Sequence, residues 1–262
     1  VLGTLQRGSC YVGVPAFSPV EMFELMQDEK CTMLSGVPTS HIAMLDHPER
    51  QNYDLSNLRA GTCGGADTDP ALLRDCAENF PLPGVVQVYG QTEASTLISL
   101  ADCQSPDRFD TCGPPLPGVE VRITDPKSGI DLPAEEIGQI ETKGPMVMRG
   151  YYGNDDATRE TIGSDGWMKT GDLGYLTPEG NIVVAGGRLR DMIIRGGENI
   201  YPVEIENLLR AHPSVTDIAV FGVPDRYYGE IVGAAVSLRA PATAEELQSY
   251  CNGRIAKFKV PA

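Results

Sequence analysis

Gly61-Thr-Cys-Gly-Gly-Ala66 sets two adjacent glycines where the backbone has to bend sharply or lie against a flat ligand, because glycine interposes no Cβ. Taken alone, the same run is a plain turn. Val88-Tyr-Gly-Gln-Thr-Glu93 follows a β-rich run and presents a hydroxyl and a carboxylate at its C-terminal edge, where open α/β sheets bind ligands. Such oxygens suit Mg2+ and phosphate; the alternative is a helix start capped by Thr92 with Glu93 facing the helix dipole. Trp167-Met-Lys-Thr-Gly-Asp172 is a Gly turn presenting one acid, and a carboxylate of this kind often holds the two hydroxyls of a ribose. An Asp in an ordinary β-turn is the plainer reading. Gly186-Gly-Arg-Leu-Arg-Asp191 places Arg188 and Arg190 behind two glycines, as a hinge between domains or a linker. Arg195-Gly-Gly-Glu-Asn-Ile-Tyr-Pro-Val-Glu-Ile-Glu206 is a Gly-rich loop feeding a Pro-started helix with acids in its first turn.

The elements around these runs can be read from periodicity and punctuation. Ser18, Pro19 and Glu21 form a helix start with capping-box spacing, and Met22, Leu25 and Met26 share an apolar face behind it. A strand-like stretch at 31–34 follows. Asp69-Pro70 opens a helix with Leu72, Leu73, Cys76 and Phe80 on one face, and residues 85–89 form a short strand. Strands alternating with helices of this length predict a parallel α/β layer. Between 112 and 187 the pattern changes to short β-runs at 119–124, 137–142 and 181–184, separated by Pro/Gly/Asp turns, which predicts a small antiparallel sheet or barrel. Beyond 188 come a β-run at 192–194, a helix near Pro202, strands at 217–223 and 231–238, and a helix opened by the capping box Thr243-x-x-Glu246. That tail reads as a small α+β module.

Composition excludes several function classes. The 262 residues carry 21 Lys/Arg against 36 Asp/Glu, a formal net charge of -15, and such a surface repels nucleic acid and anionic membranes. All of the excess lies in residues 1–187, which hold 12 basic and 27 acidic side chains, whereas 188–262 hold nine of each. The longest apolar stretches fall short of the roughly 18 residues of a membrane helix, and no secretory leader opens the sequence, so no integral membrane contact and a cytoplasmic location are expected. The seven cysteines show no C-x-x-C spacing, and reduced structural thiols fit them better than zinc or disulfides. Gly 29 and Pro 20 together mark a folded chain rich in tight turns. The chain also begins at Val1 inside an apolar run, as an internal fragment would.

Taken in order, YGQTE (89–93), KTGDLGY (169–175) and GGRLRDMIIRGGENIYPVEIE (186–206) resemble the adenylate-forming superfamily of acyl-CoA synthetases, peptide-synthetase adenylation domains and luciferases. The resemblance spans nearly the whole chain. GVPTSHIAML (36–45) and GGA (64–66) are similar to the second half of that family's large N-terminal domain. By resemblance, 1–111 is its second α/β subdomain truncated at the start, 112–187 its small β-barrel-like subdomain, and 188–262 its mobile C-terminal domain truncated at the end. The chemistry implied is two-step: a carboxylate attacks the α-phosphate of Mg·ATP to give acyl-AMP and pyrophosphate, and the thiol of coenzyme A then displaces AMP. Thr92 is similar to the Thr that contacts phosphate, and Glu93 to the acid associated with Mg2+. Gly64, Gly65 and Ala66, with Tyr89 and Gly90 close by, resemble the strip against adenine and the acyl group. Asp172 resembles the acid on the ribose hydroxyls and Arg188 the Arg that follows it onto the nucleotide. Arg190 stands at the hinge position, where the family more often carries Lys or Asp. Gly196, Gly197 and Glu198 resemble the loop that lines the pantetheine tunnel.

The family's phosphate loop is expected upstream of Val1 and its adenylation lysine beyond Lys257 and Lys259, so the fragment alone is expected to be inactive. The implied enzyme is an ATP-dependent acyl-CoA ligase acting on a fatty or aromatic acid, since GVPT, GGA and ENIYPVEIE favour acyl or aryl substrates over amino acids. An amino-acid-adenylating domain, luciferase-like chemistry and a non-catalytic nucleotide-binding module stay open at this point, as does a homodimer.

Overall fold

The computed structural model describes residues 2–66, 68–196 and 198–262. Contacts divide the chain into two units, one of Val1–Val119 with Pro145–Met148 and Gly180–Ile182, the other of Glu120–Gly144, Arg149–Glu179 and Val183–Ala262.

In the first unit a short helix α1 (Leu2–Gln6) precedes α2 (Pro19–Asp28). Ser18 caps α2 as its sequence predicts, its hydroxyl accepting from the Glu21 N–H at 3.5 Å. The buried side chains are Phe23 and Met26, with Met22 partly covered beside them. Phe23 was not on the expected face, although its i, i+3 spacing to Met26 places both on one side of the helix. Strand β1 (Met33–Gly36) starts two residues later than the expected 31–34. The reason lies in the helix stop: Lys30 adopts a left-handed φ of 50°, and the Cys31 N–H closes the last turn onto the Met26 carbonyl at 2.9 Å. Cys31 is therefore spent on ending α2.

Helix α3 (Pro38–Leu45), strand β2 (Ala60–Cys63), helix α4 (Pro70–Glu78) and strands β3 (Gly84–Tyr89) and β4 (Ser99–Leu100) complete this unit. The sheet order is β1-β2-β3-β4, with β1, β2 and β3 parallel and β4 antiparallel to β3. Gly36, Cys63 and Gln87 lie level in the ladder, so the three parallel strands all leave the sheet at the same edge. Asp69 caps α4, and Leu73 and Cys76 pack with Phe23, Phe80 and Val85 in one core. Each large apolar side chain so buried contributes about 1.5–3 kcal/mol relative to exposure.

The second unit holds β5 (Glu120–Thr124), β6 (Gly138–Lys143), a helix α5 (Asp155–Thr161), β7 (Met168–Leu176) and most of β8 (Ile182–Arg188). The four strands follow the order β5-β6-β7-β8 and make half a barrel, with β5 and β7 antiparallel to β6. Arg122 and Glu141 face each other across β5 and β6; the guanidinium donates to Glu141 Oε2 at 2.7 Å and stacks 4.4 Å from the Trp167 ring. A cross-strand pair of opposite charge of this kind stabilises the pairing of the two strands.

The same unit continues with β9 (Ile193–Arg195), β10 (Glu198–Ile200), α6 (Pro202–Arg210), β11 (Val215–Asp225), β12 (Gly229–Leu238) and α7 (Ala244–Cys251). Their sheet runs β10-β9-β12-β11 and covers Ile193, Ile205, Leu209, Val215 and Val232. Pro202 stands at the start of α6, and Thr243 and Glu246 make the reciprocal capping box of α7 at 3.2 and 2.9 Å. Among the described residues no helix is long and apolar enough to cross a membrane.

Candidate functional site

At the shared edge of β1, β2 and β3 the chain cannot carry ordinary side chains. A Cβ on Gly64 would lie 2.5 Å from Val88 Cγ2, and one on Gly90 would lie 1.9 Å from the Thr96 carbonyl oxygen. Gly65 adopts a φ of +82°, and Gly65 and Ala66 are exposed beside it. The glycines therefore let two backbone segments meet and leave an open strip at the edge. Tyr89, the last residue of β3, is buried and pairs with Ser99.

Thr92 and Glu93 sit in a short 3-10 turn, Thr92–Ala94, immediately beyond that edge. The reading of Thr92 as a helix cap is not what the structure shows, because Gln91 occupies the cap position and only a three-residue turn follows. Thr92 is exposed and Glu93 half-buried. The turn ends in two consecutive left-handed non-glycine residues, Ser95 at φ 50° and Thr96 at φ 89°. Such conformations cost about 1–3 kcal/mol each and persist only when neighbours impose them. Here the Met148 N–H donates to the Glu93 carbonyl and the Ser95 hydroxyl to the Met146 carbonyl, both at 2.7 Å.

In the second unit Asp172 is not in a β-turn: it lies inside β7, next to Gly171 at φ +75°. The ladder explains how a strand residue can present its acid. Gln139 pairs with Leu173 but Glu141 pairs with Lys169, so β7 carries extra residues in a bulge between them. Thr170 holds the bulge, its hydroxyl donating to the Ile140 carbonyl at 2.7 Å and accepting from the Asp172 N–H at 3.1 Å. Asp172, with only 11% of its side chain exposed, accepts an ion pair from Arg188 Nε at 2.8 Å, and Arg188 is 50% exposed. The structure thus joins two residues that are sixteen positions apart in sequence. A carboxylate held this way keeps acceptor capacity while a cation stands next to it.

Arg190 lies in a 3-10 turn, Leu189–Asp191, directly after β8, with its side chain 82% exposed and 3.5 Å from Asp191. Gly196 takes a φ of +59° and donates its N–H to the Tyr228 carbonyl at 2.7 Å, and Glu198 opens β10. Gly197 lies outside the described residues.

Several contributors were not singled out from sequence. Thr170, Ser95 and Thr96 act through backbone geometry, which leaves no composition signal. His41 is 1% exposed, its Nδ1 3.1 Å from the Val37 carbonyl, and burial lowers its pKa so that the neutral ring is favoured. Cys76 is equally remote from chemistry, since burial, with Cys63 and Asp75 adding, pushes its thiol up to about 12. Among the described residues no group of three or more His, Cys, Asp or Glu side chains gathers into a metal cage.

The comparisons with known proteins agree with this picture. Residues 1–152 match the family model described as AMP-binding enzyme, and residues 204–262 match the AMP-binding enzyme C-terminal domain. A long-chain-fatty-acid–CoA ligase of Bacillus subtilis (strain 168) is 37% identical over 98% of this chain and 46% of its own length. The crystal structure of ATP-bound MatB from Rhodopseudomonas palustris superposes with a TM-score of 0.89 at 34% identity, covering 98% of this chain and 51% of that one. The o-succinylbenzoate CoA synthetase of Bacillus subtilis, solved in complex with its acyl-adenylate intermediate, gives a TM-score of 0.86 at 34% identity over 100% of this chain and 52% of its own. The chain spans about half the length of the curated relatives it matches. With a mixed α/β fold of the adenylate-forming kind and a family model covering more than half of its residues, the chain belongs to the AMP-binding enzyme family.

Proposed function

We propose that the protein is an ATP-dependent acyl-CoA ligase that converts a fatty or aromatic carboxylic acid, ATP and coenzyme A to acyl-CoA, AMP and pyrophosphate. The observation that carries the reading is the glycine-lined edge of the parallel strands, followed at once by Thr92 and Glu93. In the first step a carboxylate oxygen of the acid bonds to the α-phosphorus of ATP and the bond to pyrophosphate breaks. In the second the coenzyme A sulfur, having given up its proton, bonds to the acyl carbon and AMP leaves with the anhydride oxygen.

This chain's residues act mainly by holding. The open strip at Gly64, Gly65 and Ala66, with Tyr89 and Gly90 close by, accepts the flat adenine and the start of the acyl group. Asp172 accepts hydrogen bonds from the ribose hydroxyls, and Arg188 holds that carboxylate in place while bringing positive charge to the nucleotide. Thr92 donates its hydroxyl to phosphate oxygens. The donor set at Glu93 fits a Mg2+ ion that arrives with the nucleotide, because Mg2+ is commonly bound through one or two carboxylates plus substrate phosphates. Bound there, it would offset charge developing on the transferred group. Arg190 is the pivot and Gly196, Gly197 and Glu198 the pantetheine-facing loop of residues 188–262, behind the three-part division at 111 and 187.

Fatty or aromatic acids are favoured over amino acids by the ENIYPVEIE, GVPT and GGA segments, and the match to a long-chain-fatty-acid–CoA ligase supports the aliphatic side of that pair. The chain by itself is expected to adenylate poorly, because no lysine in it matches the family's phosphate loop or adenylation segment. A pyrophosphate-release screen of the enzyme at the full length of its reading frame, across aliphatic, aromatic and amino acids, tests the reading. Release with fatty or aryl acids and CoA-dependent thioester formation are expected; release with amino acids alone would contradict it.

A further inference from the structure

The loop that follows β9 is held from outside by a hairpin whose residues have no part in the nucleotide site. Strands β9 and β10 are three residues each, too short to fix the Gly196 turn between them by their own ladder. The tip joining β11 to β12 supplies the missing constraints. Gly229 of β12 lies opposite Arg195, and the Tyr228 carbonyl accepts the Gly196 N–H at 2.7 Å. Arg195 lays its guanidinium 4.2 Å over the Tyr228 ring. Asp225 shapes the tip, its Oδ1 accepting from the N–H groups of Tyr227 and Tyr228 at 2.8 and 2.7 Å. One residue beyond Gly229, Glu230 turns its carboxylate back to the neighbouring strand and accepts the Ile194 N–H at 2.7 Å. Room for that carboxylate comes from Gly222, where a Cβ would lie 2.6 Å from Glu230 Oε1.

Resting on the ligase reading above, we propose that Glu230, seated over Gly222, is a positioning residue for the thioester-forming step: it anchors β9 so that the Gly196 loop is presented to the pantetheine arm. The carboxylate touches neither acid nor nucleotide. Its loss hands the exposed Ile194 N–H to water and frees the loop, while the machinery on Thr92, Glu93, Asp172 and Arg188 is untouched.

The two half-reactions of the full-length enzyme separate the possibilities. Glu230→Ala is expected to raise the KM for coenzyme A and slow transfer from preformed acyl-AMP about tenfold, the worth of one lost hydrogen bond to a charged group. Acid-dependent pyrophosphate release should stay within about twofold of wild type. Glu230→Gln, whose amide oxygen can still accept the Ile194 N–H, should recover most of the transfer rate. Gly222→Ala, which pushes the carboxylate aside and leaves Glu230 itself in place, should reproduce the Glu230→Ala pattern. Equal loss of both half-reactions, no loss of transfer, or a Gln variant as slow as the Ala variant would each overturn the anchor. A wild-type enzyme that makes no acyl-CoA from any acid would instead refute the ligase reading, before any variant is compared.

Discussion

Asp172 shows how backbone geometry decides where a single carboxylate is presented. Its neighbours Thr170 and Gly171 form a bulge in β7, and the bulge turns a strand carboxylate toward Arg188. If this pair grips ribose, Asp172→Ala in the full-length enzyme should raise the KM for ATP roughly ten- to hundredfold, as expected for loss of hydrogen bonds to a charged group. Steady-state kinetics with ATP varied at saturating acid and coenzyme A would show it, and unchanged ATP kinetics would refute the assignment. Asp172 and Arg188 could be singled out in the sequence through the motifs around them. Their contact was not, because it depends on the register of β6 against β7, and a Gly before an Asp reads equally well as a turn. Thr92 and Glu93 were legible in the same way, whereas the left-handed Ser95 and Thr96 were not, since neither residue type announces that conformation.

Among the elements, those with a full set of local signals were the ones sequence placed well. The helices α2, α4, α6 and α7 begin where read, because α2 and α4 combine a capping side chain with a Pro, α6 starts at Pro202 and α7 has the Thr243 capping box. Strand β2 escaped notice: it has four residues, and its Gly61 is a glycine because a Cβ there would strike the Leu34 carbonyl. The turn Leu189–Asp191 is the element on which the two-step cycle depends in this reading. Proline at 190 would disfavour the helical conformation of Leu189 and stiffen the turn. Arg190→Pro should therefore leave acyl-AMP formation nearly intact and slow thioester formation by tenfold or more, about 1.4 kcal/mol in the second barrier. Rapid-quench measurement of each half-reaction decides it, and equal loss in both would count against Arg190 as the pivot.

For the whole molecule, the distribution of charge bears on the class of partner. The excess of 15 negative charges lies within residues 1–187 and leaves 188–262 balanced, which disfavours nucleic acid and leaves small anions to be met by local devices such as Arg188 and backbone N–H groups. The second unit unites the half-barrel sheet with the C-terminal module, a grouping that no compositional boundary near Gly187 reveals, because it is made by contacts distant in sequence. In the proposed reaction a carboxylate attacks the α-phosphate of ATP, and oxygen tracing follows that step atom by atom. With an acid labelled with 18O in its carboxylate, the full-length enzyme should release AMP carrying one labelled oxygen, alongside pyrophosphate and acyl-CoA. Unlabelled AMP, or ADP and phosphate in place of AMP and pyrophosphate, would rule out attack by the carboxylate on the α-phosphate.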